Sequence, residues 1–121
     1  MADRISPELD LLEACSDEDV SFHEALLGFC GDDPFNASNV QRVQRVIAIY
    51  AREGLVVINR DYQGRKVATK SWEARSILEN AAAWVESPDD EHRFSVSTTS
   101  SGWDAFVERS QVFFDNLFDQ R

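Results

Sequence analysis

The sequence predicts an α+β fold of about five helices with a small antiparallel sheet of two to three strands. Three observations carry that expectation. Apolar side chains recur with a period of 3.6 from Ser38 to Arg52, the period changes to two at Leu55-Val56-Val57-Ile58, and an alternation of two returns at Arg93-Phe94-Ser95-Val96-Ser97. At 121 residues, 43% apolar and 28% charged, the chain reads as one domain, residues 1–121, with a core of its own and no room for a second.

A first helix is expected from Pro7 to about Cys15. Ser6 is placed to cap it, Pro7 suits the first helical position, Glu8 sits beside the positive end of the macrodipole, and Leu9, Leu11, Leu12 and Cys15 form an apolar side. Ser16-Asp17-Glu18-Asp19 reads as a solvated turn and Val20 as a short strand. Ser21 with Glu24 three residues on is a capping pair for a second helix through Phe22, Ala25, Leu26, Phe29 and Cys30, which Gly31 ends. Gly31-Asp32-Asp33-Pro34-Phe35-Asn36 follows as a loop, in the place of the turn of a helix-turn-helix.

The third helix is the organising element. Val40, Val43, Val46, Ile47, Tyr50 and Ala51 fall on one broad side and Gln41, Arg45, Ala48 and Arg52 on the other; Ser38 or Asn39 is expected to cap its start, and Gly54 to close its end in the left-handed conformation. A hairpin is expected next, Leu55 to Arg60 paired with Arg65 to Lys70 across Asp61-Tyr62-Gln63-Gly64. Ser71 should cap a fourth helix from Trp72 to about Glu86, with Ala74, Ile77, Leu78, Ala81 and Val85 inward and Trp84 at the margin; Ser87-Pro88 breaks it. The strand at Arg93–Ser97 should bury Phe94 and Val96. A last helix, Trp103 to Phe118, sets Trp103, Phe106, Val107, Phe113, Phe114, Leu117 and Phe118 against Asp104, Glu108, Gln111, Asp115 and Asp119.

Two stretches resemble the winged-helix (winged helix-turn-helix) family. One is the amphipathic basic helix running into Arg52-Glu53-Gly54-Leu55-Val56, similar to that family's entry into the wing; the other is Thr99-Ser100-Ser101-Gly102, similar to the Thr-x-x-Gly that starts its closing helix. The likeness spans about residues 8 to 118 and implies a winged-helix-like fold and DNA binding. The chain departs from the pattern in one respect. A plain winged helix passes from its recognition helix through one hairpin to the closing segment, whereas a complete helix is expected here between hairpin and final strand. Residues 71–92 are therefore either an insertion in the wing or part of a fold that shares only its first half with the family.

Charge is segregated along the chain. Residues 1–36 hold ten acids and one base, residues 37–75 three acids and eight bases, and residues 76–121 nine acids and three bases, for a net charge of −10. The basic middle either folds against the acidic ends or forms a binding face. No catalytic constellation stands out. His23 lies among apolar neighbours, His92 ends an acidic loop, Cys15 and Cys30 lack metal-ligand or redox spacing, and neither a phosphate-binding glycine loop nor a nucleophile elbow is present. No enzyme activity, metal or cofactor is expected. Without an apolar N-terminal stretch or a run of membrane-spanning length, the expected address is the cytoplasm and no membrane partner is expected.

Binding remains, in two versions. In the first to be expected, the acidic molecule meets a basic protein, as an inhibitor or immunity protein covers the active site of a cationic, nuclease-like toxin, with Asp17, Glu18, Asp19, Asp104, Glu108, Asp115 and Asp119 as contacts. In the second it is a DNA-binding transcriptional regulator, with Asn39, Gln41, Arg42 and Arg45 reading base edges and Arg65, Lys66 and Lys70 touching phosphate. The excess of acid in the flanks opposes the second, because affinity for DNA is built largely from phosphate neutralisation. The aromatic side of the last helix is either core or the seam of a homodimer.

Overall fold

The computed structural model describes residues 7–30, 37–85, 88–89 and 92–119. Helix α1 (Pro7–Asp17) leads to strand β1 (Val20–Ser21), α2 (Phe22–Cys30) and α3 (Ala37–Arg52). The hairpin β2 (Val56–Tyr62) and β3 (Arg65–Ala68) is followed by a 3-10 turn at Ser71–Glu73, α4 (Ala74–Glu79), a second 3-10 turn at Ala81–Trp84, β4 (Phe94–Thr98) and α5 (Ser100–Asp119). Among the described residues the fold is thus α+β with five helices. Its sheet has four antiparallel strands in the order β1-β4-β2-β3, against an expected two to three, because Val20–Ser21 pairs with Val96 and Ser95.

Ser21 caps α2 as its sequence implies: its hydroxyl accepts the Glu24 N–H at 3.1 Å and donates to the Glu24 carboxylate at 3.2 Å. Ser38 and Asn39, expected as caps, lie inside α3, which already begins at Ala37. At the other end the Leu55 N–H reaches the Tyr50 carbonyl at 2.9 Å, the Gly54 N–H reaches Ala51 at 3.2 Å, and Gly54 takes φ +78°. That pair of bonds satisfies the Tyr50 and Ala51 carbonyls and turns the chain into β2. The hairpin turn is tighter than expected. Strand pairing runs on to Tyr62 and Arg65, leaving only Gln63 (φ 49°) and Gly64 (φ 77°) in the turn. Two consecutive positive φ values match the right-handed twist of paired strands, so Asp61 and Tyr62 stay in the ladder.

The expected fourth helix is broken. Asn80 is extended (ψ 110°) and its side chain accepts the Ala82 N–H, the local hydrogen bond by which Asn competes with helix. The break resets the phase of the helix. Ala83 and Trp84 are buried instead of Ala81 and Val85, and Trp84 Nε1 donates to the Leu78 carbonyl at 2.8 Å. Ser71, expected as the cap, stands in the preceding 3-10 turn, and Glu73 is the residue that precedes α4. The core gathers Leu12, Phe22, Leu26, Val43, Ile47, Leu78 and Val96, with the Phe22 ring 4.8 Å from Trp84 and 5.7 Å from Phe94. The expected cap Ser6, the loop at 31–36 and the helix end at Glu86 lie outside the described residues.

Candidate functional site

Helix α5 is pinned to the α3–β2 junction. The Thr99 N–H donates to the Leu55 carbonyl at 3.0 Å, the Thr99 hydroxyl donates to the Gly54 carbonyl at 2.7 Å, and that same hydroxyl accepts the Gly102 N–H at 3.0 Å. The two stretches that carry the family likeness therefore touch. From this anchor Gly102 and Phe106 face inward. Trp103 and Val107, expected inward, are 43% and 46% exposed, with the indole resting on Phe106 at 5.3 Å. Among the described residues the buried stripe of α5 is narrower than expected, with Gly102 and Phe106 buried and Ala105 packed at its margin. The side chains of Phe113, Phe114, Leu117 and Phe118, and with them the expected homodimer seam, lie outside the described ones.

On the outward side Asp104, Glu108, Gln111 and Asp115 are exposed. Steps of four, three and four residues place them in one row along the helix. Asp115 accepts Gln111 Nε2 at 3.0 Å, while Asp104 and Glu108 carry no ion pair among the described residues. Asp104 and Glu108, like charges four apart, weaken an isolated helix by a few tenths of a kcal/mol and the Gln111–Asp115 bond returns about as much, so the row contributes little net to the fold of α5.

The N-terminal acids divide. Glu18 is exposed, while Asp19 is turned inward: it forms an ion pair with Lys66 and accepts the Ser97 hydroxyl, which in turn accepts Asn59 Nδ2 at 2.7 Å. These residues form a polar row across the sheet, on the face opposite Ile58 and Val96. The Lys66 hydrogen bond first, and the Ser97 hydroxyl second, hold the Asp19 carboxyl below the ordinary carboxylate range, against a smaller opposing effect of burial. Side chains of Asp17 and Asp119 lie outside the described ones.

On the basic side, Gln41, Arg42 and Arg45 are exposed along α3 and Asn39 is half-buried. Arg42 faces Glu8 at 3.8 Å, and Lys66 is held by Asp19. Arg45, Arg65 and Lys70 are exposed without an ion pair among the described residues. The α4 segment runs beside α3, fixed where Gln44 Nε2 donates to the Leu78 carbonyl at 2.7 Å. Trp72 stands next to it, 76% exposed. Sequence reasoning placed Trp72 only as the first residue of a helix; its position directly after the basic hairpin was the available signal.

Groups with chemical potential are occupied structurally. Burial, helped by the nearby Asp19 charge, pushes the Cys15 thiol up to about 12, so it carries no thiolate at neutral pH. His23 Nδ1 lies 3.4 Å from the Trp84 carbonyl, and His92 folds onto Asp89 at 2.6 Å within its own turn. Among the described residues no group of three or more His, Cys, Asp or Glu is placed to hold a metal, and no helix is long and apolar enough to cross a membrane. Comparison with family models, with curated proteins and with solved structures gives no match for this chain.

Proposed function

We propose that this chain is a non-catalytic, acidic, winged-helix-like protein that binds a basic protein partner, as an inhibitor or immunity protein for a cationic, nuclease-like toxin would. The observation that carries the reading is the exposed row Asp104, Glu108, Asp115 on α5, bordered by the exposed Trp103 and Val107. An acidic ridge steers a cationic surface into encounter, and the neighbouring indole supplies an apolar anchor that the same partner desolvates. The winged-helix-like reading is supported by the side-by-side placement of β1, β4 and β2, with β3 and the α4 segment falling between β2 and β4 in chain order.

The runner-up is a winged-helix DNA-binding regulator, and one observation favours it: Gln41 and Arg45 share the outer side of α3 while Arg65 and Lys70 stand exposed on the hairpin. Three observations weigh against it. Arg42 and Lys66 already face Glu8 and Asp19, the net charge is −10, and α4 flanks α3. A helix alone is about 10–12 Å wide, nearly the width of the major groove, so a second element alongside hinders its entry.

Affinity capture from the native cell tests the choice. The expected result is a co-purifying basic protein that is lost with Asp104→Lys/Glu108→Lys, and no retardation of duplex DNA at moderate salt. Retention of a specific duplex that disappears with Arg45→Ala reverses the order of the two readings.

A further inference from the structure

We infer that the groove between α3 and the α4 segment is a second docking site, for an acidic amphipathic peptide segment of another protein. The groove is open and encloses about 820 Å³, too large for a single ion and of the size that takes a short stretch of helix or peptide. Its floor is Ala48 and Leu78; Ile49 and Trp72, 37% and 76% exposed, stand on opposite walls. The Gln44–Leu78 hydrogen bond fixes one wall to the other, so the groove exists before a ligand arrives.

Charge selects the occupant. Arg45 and Arg52 both line the groove, and neither has an ion pair among the described residues. Carboxylates nearby are already engaged: Glu8 with Arg42, Glu53 with Arg109, Glu79 with Arg75, and Glu73 with the Lys70 N–H. The two arginines are two helical turns apart, about 10.5 Å, the separation of carboxylates seven residues apart on a bound helix. Such a helix sets its apolar side between Ile49 and Trp72 and its acids at the arginine rim. The net charge of −10 slows the approach of an acidic ligand, yet at physiological salt fields fade beyond about 8 Å, so contacts inside the groove decide affinity. This site is separate from the α5 ridge and stands or falls without it.

A displayed library of random peptides, selected on the full chain, tests the assignment. Enriched peptides are expected to be acidic with apolar positions three and four apart, to change Trp emission, and to bind about tenfold more weakly to Arg45→Glu/Arg52→Glu and to Trp72→Ala. Binding to Asp104→Lys/Glu108→Lys is expected to be unchanged, and urea midpoints of the groove variants identify any that are misfolded, in which case Ile49→Ser replaces them. Absence of enrichment, enrichment of neutral or basic peptides, or indifference to the arginine variants overturns the proposal. Dimerisation of the wild-type chain that Arg45→Glu/Arg52→Glu abolishes also overturns it, by giving the groove to a second copy.

Discussion

A β-carbon on Gly102 would stand 2.0 Å from the carbonyl oxygen of Leu55, closer than any packed structure allows. Gly102 is required at this point because the first turn of α5 lies directly on the residue where α3 gives way to β2. The Thr99 hydroxyl bridges the same contact to Gly54. The start of α5, and with it the acidic row that begins at Asp104, is therefore held by a backbone-to-backbone contact whose geometry only glycine permits.

Gly102→Ala is expected to destabilise the fold by about 3 kcal/mol or more, since the obstacle is backbone and cannot swing aside. Thr99→Ala removes a helix cap and should cost about 1 kcal/mol. Gly28→Ala in α2 is the internal control: nothing lies within 4 Å of its added carbon, so it should stabilise by up to about 1 kcal/mol. Urea unfolding of the three variants checks the order.

The polar row across the sheet predicts an acid-sensitive contribution to stability. Because the folded Asp19 pKa is depressed below its ordinary 3.8, the contribution is complete above that value and is lost as pH falls through the folded pKa. Below pH 3.8 the urea midpoint of the wild type should fall more steeply with acidity than that of Asp19→Asn. A double-mutant cycle with Lys66→Met should give a coupling of about 1 kcal/mol or less, as both partners are partly solvated.

Cys15, raised to about 12 by burial, should resist thiol reagents in the native state. In a Cys30→Ser background at pH 8, roughly the unperturbed thiol range, a disulfide reagent should modify Cys15 only at the rate of unfolding. Full reaction within the dead time of mixing would contradict the burial.

Legibility in the sequence followed the strength of local signals. The Ser21–Glu24 cap, the Gly54 stop, the buried pair Phe94 and Val96, and α3 with its two-sided pattern all express strong local rules, and these elements stand where their residues place them. Asn80 was the residue that local pattern misread: an apolar repeat ran across it, but its side chain prefers to bond Ala82. Trp103 failed for a different reason. Its inward placement assumed that one wide face of α5 is covered, and tertiary position, which no periodicity encodes, leaves Trp103 and Val107 nearly half exposed beside the buried Phe106. The charge pattern located the acidic and basic faces but not the internal closure of Asp19 on Lys66, because residues 19 and 66 meet only through the sheet order β1-β4-β2-β3.

The central claim is that the acidic ridge of α5 decides which surface this molecule accepts. The most direct measurement is the rate of association with the captured basic protein as ionic strength is raised, for the wild type and for Asp104→Lys/Glu108→Lys. The account predicts a rate that falls steeply with salt and is about tenfold or more lower in the double variant at low salt, with dissociation much less affected. A rate independent of salt and unchanged in the double variant would contradict it.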